Sequence, residues 1–165
     1  MVPEKAQRLA QQYGAHVVAP EVIYDVPCEV YAPCALGGTL NDNTIPRLRC
    51  QIIAGSANNQ CLADEHSDAI RQRGIVYAPD FVINAGGLIN IAAERAPGGY
   101  KEARVLAKVR NIARTLRRVL DTAQCRDIST QRAALRLAER KLAQQRLSPT
   151  AYAEDPYSLQ RIDAS

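Results

Sequence analysis

Three segments carry residue types able to bind a ligand, and each follows a short apolar run. The first is Ala32-Pro33-Cys34-Ala35-Leu36-Gly37-Gly38, and the second is Gly55-Ser56-Ala57-Asn58-Asn59-Gln60. The third runs Pro79-Asp80-Phe81-Val82-Ile83-Asn84-Ala85-Gly86-Gly87 and on to Ile91. Small residues at the end of the first run let a flat ring or a ribose approach the backbone. Cys34 is a nucleophile by type, but no histidine lies near it in sequence and no neighbour is placed to depress its pKa, so a catalytic thiol is not expected. The three amides of the second segment offer N–H donors to a carboxylate, an amide or a ribose. Asn also satisfies its own backbone in turns, so the same residues read equally well as turn chemistry. In the third, Asp80 reads as the cap of a helix whose N-terminus is an anion site.

These segments need strands to deliver them to one edge. The sequence predicts strands at His16–Val18, Cys28–Ala32, Gln51–Ala54 and Ile75–Tyr77, each ended by Pro or Gly or by small residues. Helices are predicted for Pro3–Tyr13, closed by Gly14, and for Asp64–Arg73, closed by Gly74. A turn or two of helix is expected over Asn43–Leu48, opened by the Asn-Asp-Asn-Thr cluster. Strands alternating with helices argue for βαβ units and a parallel sheet. Phe81–Glu94 reads as one helix, with Gly86-Gly87 inside it pointing to a close backbone approach of another element or a ligand, or else simply tolerated there. Val105, Val109, Ile112, Leu116 and Val119 recur at helical spacing and predict a long amphipathic helix over 101–124. A second helix follows over 130–146, with Leu135, Leu142 and several alanines as its apolar face. The fold class is therefore α/β: a parallel sheet with flanking helices and a C-terminal helical extension. The expected division is 1–95, the part that carries the sheet, then 96–146, the helical segment of the same unit, then a loose tail over 147–165 with Pro149 and Pro156.

Bulk properties exclude several classes. With 165 residues, 47% hydrophobic and 23% charged, the chain can build a core and is not compositionally disordered. No run approaches a membrane span, and the N-terminus has no apolar signal region, so a cytoplasmic protein is expected. Five cysteines without a CxxC spacing, and two histidines far apart, argue against a disulfide framework or a metal site; most of the thiols are expected to be small buried hydrophobes. The net charge of +4 is uneven: residues 101–146 hold 13 Lys and Arg against 4 Asp and Glu, and the remainder 8 against 13. A basic block can attract nucleic acid, but without interleaved aromatics it reads as a solvated helix face, and nucleic acid is not an expected partner.

The three segments, in this order and spacing, closely resemble the nucleotide-binding half of the Glu/Leu/Phe/Val dehydrogenase family, and within it the leucine dehydrogenase branch. The matching stretches are APCALGG-x-LND-x-TIP, IAGSANNQ and GIVYAPDFVINAGGLIN, and RLAERKL resembles that branch's final helix. The resemblance implies that the sheet is partial and Rossmann-like, with 1–95 a partial dinucleotide-binding domain, and that the enzyme is NAD-dependent and oxidatively deaminates an L-amino acid to a 2-oxo acid and ammonia. It implies that Cys34 and Ala35 lie beside the nicotinamide end of the cofactor, and that Ala57 and Asn58 contact nicotinamide or its ribose. Asn59 would hold the carboxylate or amino end of the substrate, and Leu88 and Ile91 would line its side-chain pocket. Glutamate-specific members carry a serine at the place of Ile91. An isoleucine would leave a buried side-chain carboxylate unpaired, so an aliphatic or aromatic amino acid is expected over glutamate, the branched-chain group first among them.

The resemblance also implies parts that these residues do not supply. Family members carry an N-terminal catalytic domain with two lysines and an aspartate, a G-x-G-x-x-G turn, and an acidic residue for the adenine ribose. The four lysines here, Lys5, Lys101, Lys108 and Lys141, match none of those positions. The expectation is a chain inactive alone, completed by that N-terminal catalytic domain and oligomeric when full length. The alternative is a non-catalytic interaction module built on the same fold. A truncated sheet is expected to leave an edge and an apolar face bare.

Overall fold

The computed structural model describes residues 3–146, with side chains for 4–144; the expected tail over 147–165 lies outside the described residues. At its centre is a three-stranded parallel sheet, β1 (Val30–Tyr31), β2 (Ile52–Ile53) and β3 (Val76–Tyr77), in the order β1-β2-β3. Val30, Ile52 and Val76 form one register row, and Tyr31, Ile53 and Tyr77 the next. Successive side chains of a strand point to opposite faces, so the two rows meet different surroundings. The second row packs into a core with Leu40, Ile45, Leu48, Ile70 and Ile75, and Leu40, Ile53 and Ile70 are fully buried. The first row is bare: Val30 is 48%, Ile52 39% and Val76 44% exposed. His16–Val18 joins no strand. Three residues with no partner strand gain no ladder, so propensity alone does not make them a strand.

The core face is closed by α2 (Glu65–Gln72) and by a 3-10 turn, Ile45–Arg47. Gly74, at φ +71, ends α2, and its N–H donates to the Arg71 carbonyl at 2.8 Å. The Arg73 guanidinium then donates to the carbonyls of Ile45 and Leu48, locking helix to turn. Asn41 opens that turn: its Oδ1 accepts the N–H groups of Asn43 and Thr44 at 3.0 and 3.2 Å. Ahead of the sheet, α1 (Pro3–Tyr13) ends at Gly14, φ +64, as the sequence predicts.

Past β3, the single helix expected over Phe81–Glu94 is two: α3 (Asp80–Ile83) and α4 (Gly86–Glu94). The chain turns at Asn84, whose side chain is held elsewhere, and the two glycines fall in the first turn of α4. Nothing lies within 4 Å of a Cβ built on Gly86 or Gly87, so no other element of the chain approaches either glycine closely. The long helix α5 (Glu102–Arg126) buries Val105, Val119 and Ala123, half-buries Val109, Ile112 and Leu116, and leaves its arginines in solvent. It closes on Asp127 in the left-handed region, φ 51. The final helix α6 (Thr130–Arg146) packs against α5 through Ala133 and Ala134, with Leu137 beside them. Leu135 and Leu142 are 43% and 57% exposed, not the apolar face expected of them. The alanines expected on that face do meet α5. Thr130 Oγ1 donates to the Tyr77 carbonyl at 2.6 Å, Ser67 Oγ to Ser129 Oγ at 2.9 Å, and Arg132 pairs with Asp68 at 2.6 Å, joining α6 to the sheet and α2.

The cysteines depart from expectation: Cys34 and Cys125 are exposed, and Cys28, Cys50 and Cys61 half-buried. Among the described residues no helix is long and apolar enough to cross a membrane.

Candidate functional site

Because the strands are parallel, their carboxyl ends share one edge of the sheet, and all three motif segments leave from it. The loops after β1 and β2 are packed backbone to backbone. A Cβ on Gly55 would lie 2.1 Å from the Pro33 carbonyl oxygen, and one on Gly37 would lie 2.6 Å from that of Asn58. Only glycine fits either place. The Ala57 N–H donates to the Pro33 carbonyl at 3.0 Å, and Gly38 N–H to that of Asn59 at 2.7 Å. Asn59 takes φ 51, a left-handed conformation that Asn tolerates better than most residues.

Gln60 belongs to this scaffold rather than to the ligand surface. It is fully buried, and its Nε2 donates to the carbonyls of Gly55 and Ala57 at 2.7 and 3.0 Å. Of the three consecutive amides, Asn58 and Asn59 remain at the surface. Ala57 is buried beneath them.

Cys34 is exposed, with the Ser56 N–H 3.4 Å from its sulfur. Hydrogen bonds from the Ser56 hydroxyl and then its N–H hold the thiol below its ordinary pKa. The sequence showed no such neighbour, because Ser56 lies 22 residues away along the chain. Ala35 is exposed in the same loop.

The third segment contributes a residue not singled out above. Asn84, at the end of α3, donates from Nδ2 to Oδ1 of Asn58 at 2.6 Å. The Asn58 oxygen accepts this bond, and its amide nitrogen donates to no partner among the described residues. Asp80, expected to cap α3, makes no side-chain cap. It is buried and accepts the Tyr77 hydroxyl at 3.2 Å, pinning the start of α3 to β3 beneath the site. Burial drives the Tyr77 hydroxyl far up, and it pushes the Cys61 thiol beside it to about 11. The geometry thus brings Cys34, Ala57, Asn58 and Asn84 together. Leu88 and Ile91, on one side of α4, are 72% and 58% exposed and are not packed against that group.

An open parallel α/β sheet with glycine-turned loops at its carboxyl edge defines a class of ligand-binding fold rather than one protein. Residues 2–148 match the family description Glutamate/Leucine/Phenylalanine/Valine dehydrogenase. A leucine dehydrogenase of Bacillus cereus is 47% identical over 94% of this chain and 42% of its own length. An L-tryptophan dehydrogenase of Nostoc punctiforme is 45% identical over 88% of this chain and 41% of its own. The crystal structure of L-tryptophan dehydrogenase from the same organism superposes with a TM-score of 0.82 at 44% identity, covering 88% of this chain and 44% of that one. The chain belongs to the Glutamate/Leucine/Phenylalanine/Valine dehydrogenase family, and it spans less than half the length of these relatives.

Proposed function

We propose that this chain is the NAD-binding part of an amino-acid dehydrogenase that oxidatively deaminates a branched-chain L-amino acid to a 2-oxo acid and ammonia. The observation that carries the reading is the Asn84–Asn58 amide pair at the carboxyl edge of the sheet. It holds the Asn58 carboxamide by its oxygen and leaves its N–H donors unengaged, and such donors suit the carboxamide and ribose oxygens of a nicotinamide nucleotide. Small residues around it, Ala35 and Ala57, leave the edge open to a flat ring. The cofactor, when bound, supplies the acceptor for the substrate's α-hydride. Cys34, Ala35, Ala57 and Asn58 would hold its nicotinamide end, with Asn84 fixing the Asn58 amide. Asn59 would face the polar end of the amino acid.

Leu88 and Ile91 would line the side-chain pocket, their exposed faces covered by substrate and by the catalytic domain. An apolar wall offers no partner for a second carboxylate, which supports leucine, valine or isoleucine over glutamate. Residues 1–95 would form the cofactor-binding part and 96–146 its helical extension, in an oligomeric, cytoplasmic enzyme. The lysines that assist proton transfer would come from the N-terminal catalytic domain.

The test compares the isolated chain with the same chain joined to the upstream half of a leucine dehydrogenase. NAD reduction is followed with leucine, valine, phenylalanine and glutamate. The joined protein is expected to act on leucine and valine, and the isolated chain on none. Turnover by the isolated chain would refute its dependence on a catalytic domain. Preference for glutamate would refute the substrate class. An inactive joined protein that nonetheless folds would favour a non-catalytic interaction module.

A further inference from the structure

Helix α3 presents Asn84 to Asn58 but is too short to hold itself. It has 4 residues, against the roughly 12 that a helix needs to stand alone in water. Val82 rests against the α5–α6 cluster. Phe81 and Ala85 face a groove of about 740 Å³ with a basic rim, open between α3, α4, α5 and α6. Apolar contact is non-directional, so it leaves the rotation of α3 about its own axis unset.

A directional path does reach Asn84. Thr130 Oγ1, at the start of α6, donates to the Tyr77 carbonyl at 2.6 Å, and the Tyr77 hydroxyl donates to Asp80 Oδ1 at 3.2 Å. The Asp80 carbonyl accepts the Asn84 N–H at 2.9 Å, and Asn84 Nδ2 donates to Asn58 Oδ1 at 2.6 Å. Tyr77 and Asp80, in the middle of the path, are 2% and 6% exposed. A buried carboxylate is costly unless it is paired, yet no lysine or arginine pairs with Asp80 among the described residues. Nor does its side chain cap α3. Its side chain meets Tyr77 and its main chain meets Asn84, so this one residue ties the orientation of α3 to β3.

We propose that Asp80 is a positioning residue for the cofactor: seated by Tyr77, it sets the rotation of α3 and so aims the Asn84–Asn58 pair at the nicotinamide end. This rests on the assignment of that edge to the nicotinamide, made above.

The test uses the full 165-residue chain and nicotinamide mononucleotide, which carries the nicotinamide and its ribose and makes no demand on a pyrophosphate cradle. Binding is followed by the side-chain amide signal of Asn58 in a nitrogen–proton NMR spectrum, with the backbone amides of Ile53 and Ile70 reporting the core. Asp80→Ala and Asn84→Ala are each expected to weaken binding about tenfold, the worth of one hydrogen bond. The double variant is expected to be no weaker than either, because both changes cut one path. Asp80→Asn keeps an oxygen for the Tyr77 hydroxyl and is expected to bring binding back to within about threefold of the parent. Should Asp80→Ala not fold, Tyr77→Phe takes its place in the cycle. A parent chain that binds no mononucleotide overturns the proposal together with the nicotinamide assignment. A parent that binds, with the Asp80 variant binding equally well, overturns the proposal alone. So does a double variant whose loss multiplies the two single losses, which marks two separate structural defects.

Discussion

Gly55 and Ser56 show how much of this molecule turns on single atoms. Gly55 has no room for a methyl group: the Pro33 carbonyl oxygen and nitrogen stand 2.1 and 2.5 Å from where one would go. Gly55→Ala is expected to wedge the β1 and β2 loops apart at a cost of about 3 kcal/mol or more, seen as a lowered denaturant midpoint at unchanged slope. Ser56 acts on Cys34 by hydrogen bonding, chiefly through its hydroxyl. Because a thiolate is the reactive form, a lowered pKa moves the onset of alkylation to lower pH. Ser56→Ala is expected to move that onset back up, measured as the pH midpoint of iodoacetamide labelling at Cys34. An unmoved midpoint would remove the Ser56 hydroxyl from the account, since alanine keeps the N–H. Neither effect is visible in the sequence, where Cys34 has only Pro33 and Ala35 beside it. Asn84 was missed for the same reason: a lone amide in an apolar run finds its partner, Asn58, 26 residues away.

At the scale of elements, the legible parts are those whose signals are local. The strands at 52–53 and 76–77 follow from β-branched runs stopped by glycine or proline, and α5 follows from its apolar stripe. What failed depended on packing. Leu135 looks like core by type, yet α6 meets α5 through Ala133 and Ala134. The break between α3 and α4 is set by the Asn84–Asn58 bond and the buried Asp80, neither of which has a periodicity.

The core beneath β3 carries its own pH signature. Burial raises Tyr31 to about 12, Cys61 to about 11, and Tyr77 further. A group with a raised folded pKa contributes stability that is complete below its unfolded pKa and lost as pH climbs toward the folded one. The melting temperature is thus expected to fall as pH rises from about 9 to 12, through the ordinary thiol and phenol range. Tyr77→Phe is expected to shallow that fall while costing about 1–3 kcal/mol at neutral pH, since Asp80 loses its buried donor. Equal steepness in variant and parent would count against the hydroxyl as a source of the alkaline loss.

For the molecule as a whole, the fold class and the carboxyl-edge site were readable because the motif segments quote both strand and turn. The uneven charge was readable as well, and the groove between α3, α4, α5 and α6 gathers part of the basic excess into one rim. The consequence of the bare register row on the sheet is cellular. Val30, Ile52 and Val76 stand side by side across three strands, 39–48% exposed. A row of that kind is what chaperones and proteases sample when they sort finished molecules from unfinished ones. The amount of this protein in a cell should therefore follow how completely that row is covered.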